Sequence, residues 1–171
     1  MAGVTVKITD KRATKDWKKV FGKKGASVKV GILDNKGGSA QASDSTITVS
    51  ELAAIHEFGL GRVPERSFIR SYFDLASQEL IGMASKLMAQ AIANVAKTGV
   101  PMSEATQHAI LSKLGMYASG KIKERIGKGE IEPELDPKTI AKKTRNGKAG
   151  NIPLIDTGQL RSSITYEVEI K

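Results

Sequence analysis

The chain has 171 residues, a formal charge of +9 and 40% hydrophobic side chains, enough apolar content to bury the core of one domain. It has no cysteine, which excludes disulfides, thiol nucleophiles, iron–sulfur clusters and thiolate zinc sites. Its two histidines, His56 and His108, cannot build a multi-histidine metal site within one chain, and aromatics at 5% leave few platforms for stacking bases.

Taken in order, Val4, Val6 and Ile8 alternate with Thr5, Lys7 and Thr9, the pattern of a half-buried strand. Asp10 can cap a short helix with Ala13, Trp17, Val20 and Phe21 on one face and Gly22 at its end. Val28, Val30 and Ile32 predict a second strand, and residues 35–45, small, polar and glycine-containing, a flexible projecting loop. Ile47 and Val49 suggest a brief return to strand. A helix is expected from Ser50 and Glu51, with Leu52, Ile55 and Phe58 on one side, broken between Gly59 and Pro64.

From about Ser67 the period becomes helical for roughly 30 residues: Phe68, Tyr72, Ala76, Leu80, Ala84, Leu87, Ala91 and Val95 form one stripe. Gly99 and Pro101 end it. Ser103 can cap a second helix carrying Ala109, Leu114, Tyr117, Ile122 and Ile126, with Gly127 as its terminator. Residues 128–151 contain Pro133, Pro137, Gly147 and Gly150 and few large apolar side chains, so an extended polar arm is expected there. Asp156 is the expected cap of a turn of helix through Leu160. Ile164, Tyr166, Val168 and Ile170 then alternate with polar residues as a terminal strand. The whole reads as one α+β domain spanning 1–171: a small, mainly antiparallel sheet packed against one long helix and a second helix, with projecting loops.

The charge is unevenly placed. Residues 1–29 hold nine basic against two acidic side chains, +7 of the total. Lys11, Arg12, Lys15, Lys18, Lys19, Lys23 and Lys24 are therefore a candidate electrostatic patch for an acidic surface or for phosphate. Most are Lys, a point charge without the bidentate fork of Arg.

Familiar chemistries fail on inspection. His56-Glu57 begins the H-E-x-x-H zinc pattern, but position 60 is Leu60 and the second ligand is missing. No strand-to-helix turn carries a P-loop. Ile155-Asp156-Thr157-Gly158 matches the aspartic-protease signature in letters. It lies within 16 residues of the last residue, without room for a flap, and the same letters suit a helix cap. Leu87–Ser103, broken by Gln90, Asn94, Lys97 and Gly99, is not a membrane span, and the N-terminal residues lack the apolar run of a secretion signal. Neither an enzyme nor a cofactor-binding protein is expected.

Three segments carry a resemblance: Val30-Gly31-Ile32 ahead of the loop; Glu51-Leu52-Ala53-Ala54-Ile55-His56-Glu57-Phe58-Gly59 running into Val63-Pro64-Glu65-Arg66-Ser67-Phe68-Ile69-Arg70; and Ile152-Pro153-Leu154-Ile155-Asp156-Thr157-Gly158-Gln159-Leu160-Arg161-Ser162-Ser163-Ile164-Thr165-Tyr166. In order and spacing they resemble the neck or tail-completion proteins of long-tailed bacteriophages, including the virion-morphogenesis proteins of Mu-like phages. Glu65-Arg66-Ser67-Phe68 departs from relatives that carry a second proline before the Phe. The resemblance implies a non-enzymatic virion protein, made in the bacterial cytoplasm. It would form a ring at the head–tail joint, a hexamer first and a dodecamer as the alternative. Its expected partners are itself and adjacent neck proteins such as the portal or adaptor and the tail terminator or tail tube. Double-stranded DNA, contacted nonspecifically, is a secondary partner, and no membrane is involved. The resemblance also makes His56, Glu57, Phe58, Gly59, Pro64, Arg66, Phe68, Arg70, Asp156, Thr157, Gly158 and Leu160 architectural. The alternative reading is a basic DNA-associated packaging or regulatory factor.

Overall fold

The computed structural model describes residues 25–33, 47–146 and 151–170. The expected first strand, the capped helix at 10–22, the loop at 35–45 and the lysine patch lie outside the described residues. Within them the elements are β1 (Ala26–Ile32), α1 (Val49–Phe58), α2 (Arg70–Thr98), α3 (Glu104–Lys128), α4 (Pro137–Arg145), α5 (Gln159–Ser163) and β2 (Ile164–Ile170). β1 and β2 pair as a two-stranded antiparallel sheet, so the chain is α+β with one long helix. No described helix is long and apolar enough to cross a membrane.

The chain divides into two compact units. The first holds the described part of Met1–Val30 with Ala76–Ala118 and Tyr166–Lys171. In it Lys29 and Glu169 form an ion pair across the two strands, and the Tyr117 hydroxyl of α3 donates to the Glu79 carboxylate of α2. Ser103 caps α3 by accepting from the Thr106 amide at 3.1 Å. The apolar face of α3 begins at Ile110, which is buried, whereas Ala109, expected inside, is exposed. The helix also runs past Gly127 to Lys128; the left-handed residue that ends it is Gly129, at φ 74°.

Gly115 lies where α3 meets β2. A Cβ there would sit 2.6 Å from ring atoms of Tyr166, so the helix needs the missing side chain to approach the strand. Gly120, five residues on in the same helix, faces open space. Alanine normally stabilises a helix interior by about 0.5–1 kcal/mol over glycine. Gly120→Ala is therefore expected to raise stability by that amount, and Gly115→Ala to lower it by roughly 1–3 kcal/mol through overpacking. Thermal melts of the two variants should move in opposite directions.

The second unit comprises Gly31–Leu75 and Ser119–Thr165. The largest fully buried side chains, Val49, Phe68, Ile122, Ile126 and Ile164, all belong to it, and α1 packs against α5. Three expectations are corrected here. Ile47 and Val49 do not form a strand: Thr48 is the N-cap of α1, in a reciprocal capping box with Glu51. The Thr48 amide donates to the Glu51 carboxylate at 2.8 Å, and the Glu51 amide to the Thr48 hydroxyl at 3.2 Å. The Thr48 amide first, and the Thr48 hydroxyl donating to the same carboxylate at 2.8 Å second, hold the Glu51 carboxyl below its ordinary range.

The polar stretch 128–151 is not an extended arm throughout. Ile131 is buried, and Pro137–Arg145 forms α4 behind an Asp136 cap that accepts from the Lys138 amide at 2.8 Å. Proline at the first helical position suits this start because its missing amide would have no partner there. Finally, Asp156 does not cap α5. The cap is Gly158, at φ 79°, with no side-chain cap bond; the Thr157 hydroxyl accepts from the Gln159 amide at 3.3 Å.

Candidate functional site

The motif residues of the first half converge on one carboxylate. Glu57, near the end of α1, is 4% exposed. Its Oε1 accepts from the Ser67 hydroxyl at 2.7 Å and the Arg70 amide at 2.8 Å. Its Oε2 accepts from the Phe68 amide at 2.9 Å and the Ile69 amide at 3.0 Å. A carboxylate offers about four acceptor positions, and all four are taken. Three of the donors are successive backbone amides at the start of α2, which otherwise lack helical partners and carry the positive end of the helix dipole. Glu57 thus ties the end of α1 to the beginning of the 29-residue helix α2. No acceptor position is left for a proton transfer or a metal ion.

The turn between the two helices is shaped to permit this. Gly59 closes α1 in the left-handed conformation at φ 64°. A Cβ there would lie 2.7 Å from the Glu65 amide nitrogen, so glycine is required for conformation and for space alike. The chain then doubles back, the Arg66 amide donating to the His56 carbonyl at 2.7 Å. Arg70 pairs with Glu65 at the surface. Phe68 is fully buried, while Phe58 and Pro64 are exposed.

Arg66 points the other way and is 5% exposed. Its Nε donates to the Pro133 carbonyl at 2.7 Å and its Nη2 to the Glu134 carbonyl at 2.9 Å. Burial lowers its pKa from the ordinary arginine value. One planar fork therefore fixes the backbone of 133–134 against the α1–α2 turn.

His56 is half-buried, and its Nδ1 is buried without a hydrogen-bond partner among the described residues. Burial first, and the nearby Arg66 charge second, push its pKa below 6.5, so the imidazole is neutral at pH 7. It lines a cleft of about 370 Å³ together with Leu52, Thr139, Lys142, Asn146 and Leu154. Leu154 holds a left-handed φ of 62°, a conformation that costs a non-glycine residue roughly 1–3 kcal/mol. The lining of the cleft also includes Asp156, Thr157, Gly158 and Leu160. Asp156 and Thr157 are exposed, and Leu160 is 4% exposed and packs inward. Lys143 anchors this part of the lining by donating to the carbonyls of Ile152, at 3.2 Å, and Ile155. The His56-Glu57 and Asp156-Thr157-Gly158 motifs thus share a neighbourhood within the second unit. Among the described residues no group of three His, Cys, Asp or Glu side chains is placed to hold a metal ion.

The depressed pKa of His56 sets a pH dependence. Below pH 6.5 the unfolded chain takes up a proton on His56 that the folded chain resists, so stability present above pH 6.5 declines as the solution is acidified. The carboxyl groups of Glu51 and Glu124, the latter brought down to about 2 by bonds from Lys128 and Lys121, act in the same direction only below pH 4.5. His56→Gln is expected to flatten the stability profile just below pH 6.5 and leave the limb below pH 4.5 intact, as urea titrations at stepped pH would read.

No family model, curated protein or solved structure matches the chain. The motif residues expected to be architectural lie between positions 56 and 160. Their contacts nevertheless fall into two anchored groups, Glu57 with Gly59, Arg66 and Phe68, and the turn around Gly158 with Leu160. The carbonyl partners of Arg66 were not foreseen, because a backbone oxygen leaves no mark in the sequence.

Proposed function

We propose that the chain is a virion structural protein of a long-tailed bacteriophage, building a ring at the head–tail joint that docks the tail and lets DNA pass. It acts by self-assembly and docking rather than by catalysis. The observation that carries this reading is the saturation of Glu57. The most chemistry-like residue of the resembling motifs has all its acceptor positions committed to positioning α2. Arg66 and Gly59 likewise serve the backbone. Residues spent on architecture suit a protein whose task is to present surfaces, and the order of the motifs supplies the phage association.

The +7 charge of residues 1–29 favours the second reading, a basic DNA-associated packaging or regulatory factor. Sizing of the full chain with and without a short DNA duplex separates the two. Concentration-dependent assembly into closed rings without DNA is expected. A strict monomer with salt-sensitive duplex binding would favour the DNA factor instead.

A further inference from the structure

We infer that Glu130–Arg145 is a subunit contact in which the acidic edge of one copy of this chain meets the basic helix of the next. The inference rests on the ring-forming reading above. The segment holds four acidic residues, Glu130, Glu132, Glu134 and Asp136, followed by four basic ones, Lys138, Lys142, Lys143 and Arg145. The signs are fully segregated and the net charge is zero. Two of these groups serve within the chain: Asp136 caps α4, and Lys143 holds the carbonyls of Ile152 and Ile155. Glu130 reaches Arg125 at 4.0 Å.

The others are at the surface, Lys142 also lining the cleft beside His56. Glu132, Glu134, Lys138, Lys142 and Arg145 are exposed, and none has an ion-pair partner among the described residues. Lys138, Lys142 and Arg145 stand at i, i+4 and i+7, one face of α4 along about 10 Å of its axis. Like charges so spaced oppose the helix. The nine-residue helix buries no side chain of its own and is shorter than a helix that stands alone in water. An anionic partner would turn the repulsion into attraction.

The backbone that carries the acids is not free to adapt. Ile131 is buried, and Arg66 holds the carbonyls of Pro133 and Glu134, so the two carboxylates are offered from a fixed frame. A polyanion such as DNA would be repelled by Glu132 and Glu134 immediately before the cations, whose attraction they offset in a segment of zero net charge. A second copy offers both signs in complementary order. On the ring reading, the acidic edge of each copy meets the basic helix of the next, a head-to-tail contact of the kind that closes rings.

The test uses two charge-reversed full chains, E132K/E134K and K138E/K142E/R145E, with folding checked by circular dichroism and association measured by sedimentation at low salt. Each variant alone is expected to associate at least about tenfold more weakly than the unaltered chain. An equimolar mixture is expected to recover association, since each reversed surface then meets its complement. The neutral variant K138Q/K142Q/R145Q, which adds no repulsion within α4, should show an intermediate loss. Unchanged assembly of both reversed chains would overturn the inference and leave the ring reading standing. A monomeric unaltered chain at every concentration would overturn the ring reading itself. Loss of binding to a short DNA duplex by K138E/K142E/R145E, with assembly unaffected, would assign the stripe to nucleic acid and overturn the inference.

Discussion

Glu57→Ala is expected to lower the unfolding free energy by about 4 kcal/mol, the largest effect of any single substitution described above. The substitution strands the amides of Phe68, Ile69 and Arg70 and the hydroxyl of Ser67, all of which Glu57 now satisfies. A donor left buried without a partner costs roughly 1–3 kcal/mol, and water can reach only some of the four. Phe68 is fully buried, so its amide carries the fullest share. Glu57→Gln keeps the shape but replaces one oxygen with an NH2 group that faces donors, and about 2–3 kcal/mol of loss is expected. Urea unfolding of the three proteins measures the series. A loss below about 1 kcal/mol for the alanine variant would show that the start of α2 does not depend on this carboxylate.

Arg66→Ala is the second large effect, about 3 kcal/mol, from two lost charge-assisted bonds and the packing of a buried side chain. The desolvation of the guanidinium that disappears with it offsets part of that loss. Arg66→Lys is the sharper variant. Lysine keeps the charge but cannot deliver two donors in one plane to the carbonyls of Pro133 and Glu134, so about 2 kcal/mol is expected to be lost. The location of the damage is the decisive readout. Hydrogen exchange should accelerate at residues 131–136 while the amides of 68–70, held by Glu57, keep their protection. Uniform acceleration at both places would mean that the two anchors are one cooperative unit.

Periodic features were legible in the sequence and long-range ones were not. The stripe from Phe68 to Val95 announced α2, and alternation from Ile164 to Ile170 announced β2, because burial of one face imposes a period. The helix α4 escapes such a reading because its nine residues carry one large apolar side chain, Ile140, too few to form a repeating stripe. Its only signal was Asp136 followed by Pro137, a cap and a first-turn proline. Thr48 and Glu51 spelled a capping box that the neighbouring β-branched residues Ile47 and Val49 obscured.

At the candidate site, the letters Asp156-Thr157-Gly158 favoured an aspartate cap because aspartate is among the best N-cap residues. The left-handed turn at Gly158 instead starts α5 two residues later. Glu57 was singled out as part of a motif, yet its task was invisible. Its partners lie ten to thirteen residues away and are mostly backbone amides, which every residue but proline offers. The charge tells a similar story. The +9 total pointed to the first 29 residues, but the described residues contain a second pattern, the acid-then-base order of Glu130–Arg145, that a net sum conceals.

The placement of the protein in the particle is tested most directly by electron microscopy of purified phage particles labelled with an antibody against this chain. The proposed role predicts label confined to the head–tail joint, with several copies of the 18.3 kDa chain per particle arranged as a ring. Particles that lack the chain, or that carry it only inside the head with the DNA, would contradict it.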